Sequence, residues 1–138
     1  MSFNSNKKNN MKYVKSKNTN LEMKVRRRLW KEGIRYKTNV KSLFGTPDIA
    51  FPNLKIVVFI DSCFWHGCPQ HFRLPPKKQE FWKLKIQRNT ERDNEISRHY
   101  IEENWTILRF WEHEINNNLE NVVTTIIYYV NEKSNLKK

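Results

Sequence analysis

The feature that most constrains the fold is an unbroken apolar run, Ile56 to Ile60, near the middle of the chain. It reads Ile-Val-Val-Phe-Ile, and β-branched and aromatic residues favour strands. Successive side chains of a strand point to opposite faces, so a strand without a polar position is covered on both faces. We therefore predict a central strand over residues 55–60.

The segments around this run alternate between helical and strand patterns. Thr19-Asn20-Leu21-Glu22 has the form of a capping box, and Val25 and Leu29 continue a helical stripe toward Gly33. Further strands are predicted at residues 34–40, 48–51 and 105–111, a long helix in one piece or two over 79–104, and a last helix over 119–130. This order predicts an α/β fold, a mixed central sheet flanked by helices.

Length and charge restrict the number of domains and the class of binding partner. The 138 residues suffice for one domain with a single core, which we predict over residues 19–131. Residues 1–18 are rich in Asn, Lys and Ser and have the composition of a flexible basic arm, with a basic tail over 132–138. The formal net charge of +12 indicates a polyanionic partner, because Lys and Arg displace counterions from phosphates.

The sequence shows no pattern for export or membrane insertion. Its apolar runs fall short of the roughly 20 residues of a membrane span, and the N-terminal arm lacks the apolar centre of a signal peptide. Two cysteines in such a chain favour metal binding or inert thiols over a disulfide. We expect a cytoplasmic or nucleoid-associated protein, without a membrane partner, that acts as a monomer.

Two carboxylates fall where the predicted strands begin and end. Asp48 follows Gly-Thr-Pro at one strand start, and Asp61 follows Ile60 at the end of the next strand. Adjacent strands would present both carboxylates and the Ile60 carbonyl to one point. Hard oxygen ligands of this kind suit Mg²⁺, which keeps several waters and binds a substrate phosphate. The alternative is that Asp48 only caps a turn.

Both cysteines and three of the four histidines are candidate ligands of one metal site. Four of these residues lie between positions 63 and 71, and His113 follows the last predicted strand. Cys63, Cys68, His71 and His113 make a Cys₂His₂ set that suits a structural Zn²⁺. His66 is then free to act as the general base for water. The spacing equally allows His66 to be the third zinc ligand, with His71 in solvent.

Aromatic pairs and basic runs supply candidate DNA contacts. Trp65, next to Phe64 in the cysteine loop, is assigned to DNA because such side chains can unstack base steps. Phe81 is assigned to the core. The basic runs at residues 24–28 and 83–88 favour phosphate contacts, because acidic residues are scarce beside them.

Several motifs, in the same order along the chain, resemble the very short patch repair endonuclease family, usually called Vsr. The resemblance extends from about Lys15 to Ile115. It rests on Ser16-Lys17-Asn18-Thr19 with Glu22, Gly45-Thr46-Pro47-Asp48, Cys63-Phe64-Trp65-His66, Glu80-Phe81-Trp82, Lys85 with Arg88-Asn89, Glu91-Arg92-Asp93 and Phe110-Trp111-Glu112. It implies a restriction-endonuclease-like fold with a structural zinc, and a Mg²⁺-dependent nick at T:G mismatches in double-stranded DNA. Other repair proteins would be further partners.

The resemblance also implies roles for individual residues. Asp48 and the Ile60 carbonyl bind the catalytic Mg²⁺, His66 activates the attacking water, and Glu22 supports the site. Phe64, Trp65 and Trp82 wedge into the duplex, and the basic arm lies along a groove. The basic candidates for DNA binding are Lys15, Lys17, Arg26, Lys85 and Arg88.

Three positions depart from the best-known members of this family. Asp61 stands where they have a second His, so Asp61 would orient water or join the metal. Their His ligand ahead of the second Cys has no counterpart in the shorter loop, and His71 behind it is the substitute. His113 replaces their last Cys ligand, which is a chemically reasonable exchange.

Two other functions fit the same residues. A restriction-like or mobile-element nicking endonuclease would cut a short sequence in paired DNA. A non-catalytic, zinc-stabilised module would bind DNA without cutting it. The mismatch endonuclease is the favoured interpretation.

Overall fold

The computed structural model describes residues 20–63, 67–69 and 73–137, which form helices around one sheet. In chain order the elements are α1 (Asn20–Lys31), β1 (Lys37–Thr38), β2 (Ile49–Phe51), a 3-10 turn (Pro52–Leu54), β3 (Ile56–Asp61), α2 (Gln79–Glu102), β4 (Thr106–Trp111), α3 (Glu112–Asn117) and α4 (Leu119–Lys137).

The four strands form one mixed sheet in the order β1-β2-β3-β4. The pairs β1–β2 and β2–β3 are antiparallel, whereas β3 and β4 run parallel. A parallel pair needs a long crossover connection, and α2 lies within that connection. The apolar run thus forms an internal strand, as the sequence predicts.

Alternate side chains of β3 enter two separate cores. Ile56 and Val58 belong to a cluster built with α1, α3 and α4, while Val57 and Phe59 pack on the other face with Tyr100 of α2. Fully burying a side chain of this size stabilises the fold by about 1.5 to 3 kcal/mol. Burial on both faces explains why β3 carries no polar residue before its end, and it confirms the mixed sheet flanked by helices.

Helix α1 ends in a Schellman motif at Gly33. This glycine has φ of +84°, the left-handed conformation that a side chain disfavours. Its N–H donates to the Trp30 carbonyl at 3.0 Å, and the N–H of Ile34 donates to the Leu29 carbonyl at 2.9 Å. The helix end predicted at Gly33 is confirmed. The capping residue Thr19 lies outside the described residues.

Two long segments differ from the sequence pattern. Helix α2 is a single piece, and the alternative of two pieces with a fresh start at Thr90 is wrong. Its buried residues Ile86, Ile96 and Tyr100 continue one stripe through that point, so packing on the sheet favours an unbroken helix. Strand β1 pairs over only two residues, instead of the longer strand expected over residues 34–40.

The C-terminal part also contains more helix than the pattern suggests. The short α3 follows β4 directly, and its first turn is capped by the Glu114 carboxylate, which accepts the Trp111 N–H at 2.8 Å. Residues 132–137, which have the composition of a basic tail, continue α4. Among the residues described, no helix combines the length and the apolarity needed to cross a membrane.

Gly45 provides a test of how closely the loop before β2 approaches α2. It has φ of +77°, and a Cβ there would lie 2.8 Å from Cδ1 of Ile96. We expect Gly45→Ala to lower the free energy of unfolding by about 2 to 4 kcal/mol, from backbone strain and overpacking together. Urea unfolding measures it.

Gly33→Ala is the matched control for Gly45→Ala. Gly33 has a similar φ of +84°, but nothing lies within 4 Å of the added Cβ. Its cost should therefore be backbone strain alone, about 1 kcal/mol. Equal losses in the two variants would mean that Ile96 yields without cost.

Candidate active site and metal centre

Asp48 is fixed by backbone hydrogen bonds at the start of β2. Its N–H donates to the Val58 carbonyl at 3.1 Å, and its carbonyl accepts the Asn39 N–H at 3.2 Å. Its side-chain Oδ2 accepts the N–H of Ile60 at 2.7 Å. The Asp48 carboxylate therefore lies beside the end of β3, next to Ile60, whose carbonyl is the second predicted metal ligand.

Glu22 and Asp61 face the same carboxylate from two other elements. Glu22 belongs to the first turn of α1 and is 4% exposed, while Asp61 ends β3 and is 6% exposed. Burial, followed by repulsion from Glu22, raises the pKa of Asp48 to about 7, and Asp61 acts in the same direction. Three acidic groups thus meet at one end of the sheet, where a divalent cation would relieve their repulsion.

Each flanking carboxylate has an arginine partner. Nη2 of Arg26 lies 2.9 Å from Oε1 of Glu22, one turn along α1. Nη1 of Arg109 lies 2.9 Å and 3.1 Å from the two oxygens of Asp61. Buried charges persist when they are paired and hydrogen-bonded, and both pairs meet that condition.

Arg109 is a residue of this site that no sequence motif indicates. It stands in β4, a strand that is otherwise almost wholly apolar, between Leu108 and Phe110. A charged residue in such a strand needs a partner, so this position could have indicated an internal ion pair. It could not indicate which carboxylate is the partner.

A second cluster lies just beyond the same strand ends. Cys63 and Cys68 are both buried, and Nδ1 of His113 lies 3.4 Å and 3.7 Å from their sulfur atoms. The three donor atoms all lie within 4.8 Å of one another, an arrangement that could hold a metal ion. Burial raises the pKa of the Cys63 thiol when no cation is bound.

The parallel pairing of β3 and β4 explains why these ligands meet. Asp61 is the register partner of Trp111, so Cys63 and His113 each lie two residues beyond the paired ends. The loop closes through a hydrogen bond from the Cys68 N–H to the Cys63 carbonyl at 2.9 Å. The Cys63 N–H donates to the Glu112 carboxylate at 3.0 Å, which ties the loop to the start of α3.

Several candidate residues lie outside the described residues, and their roles stay predictions. They are Lys15 and Lys17 of the arm, Phe64, Trp65 and His66 of the cysteine loop, and His71. The choice between His66 and His71 as a zinc ligand is therefore untested.

The basic run on α1 has acidic neighbours on its own helix and on α4. Arg26 is 7% exposed and pairs with Glu22. Arg28 contacts Glu32 at 3.2 Å and Glu120 of α4 at 2.6 Å. The expected scarcity of acids beside this run is thus wrong in three dimensions, and a phosphate contact from Arg26 stays a prediction.

The start of α2 presents aromatic and basic side chains together. Phe81 is 54% exposed, so its assignment to the core is wrong, while its neighbour Trp82 is partly buried. Their ring centroids lie 5.1 Å apart, edge to face. Lys85 and Arg88 are exposed on the same helix. The residues of α2 that join the core on the sheet are Ile96 and Tyr100, which lie several turns further along the helix than Phe81.

Comparisons with known proteins agree with the motifs. A family model described as DNA mismatch endonuclease Vsr matches residues 2–71, half of the chain. The chain is 37% identical over 130 residues to the type II nicking enzyme V.NmeDIP of Neisseria meningitidis serogroup C, covering 93% of this chain and 88% of that enzyme. It is 40% identical over 108 residues to the type II nicking enzyme V.HpaIIP of Haemophilus parainfluenzae, 77% of each chain. The DNA mismatch endonuclease Vsr of Escherichia coli is 32% identical over 104 residues, 75% of this chain and 67% of that protein.

The acidic cluster predicts a pH-dependent stability in Mg²⁺-free buffer. The folded pKa of Asp48, about 7, lies above its ordinary value of 3.8, so the folded state holds this proton more tightly. The resulting stabilisation is complete below about pH 4 and is lost as the pH rises through 7. Asp48→Asn, which cannot ionise, should therefore gain stability over the wild type between pH 5 and pH 8.

Thermal unfolding followed by circular dichroism measures this gain as a difference in Tm. The Tm difference between Asp48→Asn and the wild type should be several degrees larger at pH 8 than at pH 5, since 1 kcal/mol shifts Tm by roughly 3 to 5 °C in a domain of this size. Glu95→Gln, the same kind of change at an exposed site on α2, serves as the control and should show no such growth. A Tm difference for Asp48→Asn that is equal at both pH values would contradict the role of Asp48.

Proposed function

The chain belongs to the Vsr family of DNA mismatch endonucleases, and we propose that it nicks one strand of double-stranded DNA at T:G mismatches by Mg²⁺-dependent hydrolysis. Family membership makes it a DNA endonuclease with a restriction-endonuclease-like fold. The observation that carries the proposal is the convergence of Glu22, Asp48 and Asp61 at one sheet end. T:G specificity rests on the motif resemblance and on the mismatch endonuclease of Escherichia coli.

We propose Asp48 and the Ile60 carbonyl as the protein ligands of Mg²⁺. Asp48 lies beside Ile60, because it accepts the Ile60 N–H at 2.7 Å. A bound Mg²⁺ would polarise the scissile phosphate and neutralise charge that develops during hydrolysis. The arginine partners of Glu22 and Asp61 leave Asp48 as the carboxylate whose charge a cation best compensates.

The remaining residues would position water and DNA. His66 would accept the proton of the attacking water, a role that suits a side chain with an ordinary pKa near 6.5. Glu22, held by Arg26, would support the site from α1, and Asp61 would orient water or join the metal. The assignment of this general-base role to His66 follows the family resemblance.

DNA binding would use the basic and aromatic surface at the start of α2. Lys85 and Arg88 are exposed there and would contact phosphates, and the partly buried Trp82 would reach the bases. The net charge of +12 supports a strong, salt-dependent attraction to duplex DNA. Lys15, Lys17, Phe64 and Trp65 complete the proposed contact set. A monomeric active form, nucleoid association and further repair partners stay predictions.

For the second cluster we propose Zn²⁺. A tetrahedral zinc with bonds of about 2.3 Å to sulfur and 2.0 to 2.1 Å to nitrogen keeps its donors roughly 3.5 to 3.8 Å apart. The separations of 3.4 Å and 3.7 Å between His113 and the two sulfurs match that spacing. The site would be structural, tying the loop to β3 and α3, with His71 or His66 as the fourth ligand.

A cleavage comparison tests the mismatch specificity. One duplex carrying a T:G mismatch and its fully paired version are incubated with the protein and Mg²⁺. We expect a single-strand nick in the mismatched duplex at least about a hundredfold faster, because unpairing beside a mismatch costs less. Asp48→Ala should lower the rate by at least about a thousandfold while retaining DNA binding.

Each alternative function has its own outcome in this experiment. Equal nicking of both duplexes would replace mismatch repair by a restriction-like or mobile-element activity on paired DNA. Binding of both duplexes without any Mg²⁺-dependent product would leave a DNA-binding module.

Metal analysis of the purified protein tests the zinc proposal. We expect about one zinc per chain, and Cys63→Ser should lose the metal and much of the stability, since site formation and folding are coupled. His99→Ala is the control, because His99 is exposed on α2 and contacts Phe44. Zinc retained in His66→Ala but lost in His71→Ala would assign the fourth ligand to His71. Protein that is folded without zinc would refute the proposal.

A further inference from the structure

Arg109 links three elements at the acidic end of the sheet. From β4 it reaches Asp61 at the end of β3, with Nη1 at 2.9 Å and 3.1 Å from the two carboxylate oxygens. Its Nε donates to Oγ of Ser97 at 3.1 Å, and its Nη2 donates to the Asp93 carbonyl at 3.4 Å. The guanidinium carbon also lies 4.6 Å from the ring centroid of Phe59.

These contacts hold the guanidinium from both β3 and α2. Ser97 and Asp93 hold it from α2, and the Phe59 ring supports it from β3. Because the guanidinium is planar and always charged, it arrives at Asp61 with little freedom left to lose. Asp61 is 6% exposed, so water does little to screen this pair.

The two carboxylates beside β3 are therefore in different electrostatic situations. The Asp61 charge is compensated by Arg109. Asp48 accepts a backbone N–H and is repelled by both Glu22 and Asp61. A cation entering this end of the sheet gains most from Asp48, whereas engaging Asp61 would require giving up the bonds to Arg109.

We propose that Arg109 is a positioning residue that keeps the Asp61 carboxylate out of the metal coordination sphere and holds it where it can orient water. The inference rests on the proposed function, because it assumes Mg²⁺ at Asp48. It decides between the two roles that the sequence leaves open for Asp61. Helix α2 then also contributes to the site, since Ser97 and Asp93 accept hydrogen bonds that position the guanidinium of Arg109.

The proposal predicts that loss of Arg109 changes the metal site through Asp61. In Arg109→Met most of the side-chain volume is kept, but the Asp61 carboxylate loses the guanidinium that pairs with it. Asp61 then adds its charge to the site at Asp48, and Mg²⁺ should bind about tenfold more tightly. Turnover in nicking should fall, with a smaller change in the KM for DNA, because a group needed for orientation has moved into coordination.

Isothermal titration of Mg²⁺ into the full-length, zinc-retaining protein measures the affinity without any substrate. The wild type, Arg109→Met, Asp61→Asn and the double variant form a cycle. In the Asp61→Asn background the Arg109 change removes the same positive charge, but no Asp61 carboxylate can enter the coordination sphere, so the Mg²⁺ Kd should fall by no more than about threefold. Arg98→Met is the control, since it removes an exposed arginine of α2 and should leave both Kd and turnover unchanged. Arg109→Lys should restore part of the turnover.

The outcomes separate this inference from the proposed function. An unchanged Mg²⁺ affinity in Arg109→Met, the same change in both backgrounds, or no Mg²⁺ binding by the wild type would overturn it. If Arg109→Met does not fold, Arg109→Gln takes its place with the same expectations, and the double variant is still compared with Asp61→Asn. A wild type that fails to nick T:G duplexes while the affinity cycle holds would refute the proposed function alone.

Discussion

The parallel pairing of β3 with β4 is the constraint on which the rest of the molecule depends. Its register aligns Phe59 with Arg109 and Asp61 with Trp111. The alignment brings an arginine beside the carboxylate that ends β3, and it places Cys63 close to His113 just past the strand ends. A shift by one residue would move every side chain of β4 to the opposite face and separate both groups. Core packing therefore fixes the register that both groups need, because the apolar residues of β3 fill a core on each face.

Charge compensation organises the acidic end of the sheet. Burying several carboxylates together is unfavourable unless each is paired, hydrogen-bonded or bound to a cation. Arg26 compensates Glu22 from the same helix, and Arg109 compensates Asp61 from the neighbouring strand. Asp48 stands between them with its pKa raised to about 7, chiefly by burial. The folded state thus places one carboxylate where its ionised form is unfavourable, and such shifted groups are common at functional sites.

Particular elements show how far sequence patterns reach. Continuous apolar residues predicted the internal strand β3, and Gly33 predicted the end of α1, because both signals are local. The residue type of Phe81 predicts a core position, yet its side chain is exposed near the start of α2. The basic run around Arg28 predicts a phosphate-binding surface, but Glu120 of α4 contacts Arg28 at 2.6 Å. Such partners are far apart in sequence, and no local pattern contains them.

The sequence by itself determined the α/β architecture, the family and the chemical identity of the candidate ligands, since these depend on residue types and their order. It named Asp48, Asp61, Glu22, Cys63, Cys68 and His113 as candidate site residues, and the structure brings them into two groups near one sheet end. Only the tertiary structure decided how their charges are compensated. The Asp61–Arg109 pair joins residues 48 positions apart, and it forms because the parallel register brings Arg109 beside the end of β3 and Ser97 of α2 holds its guanidinium there.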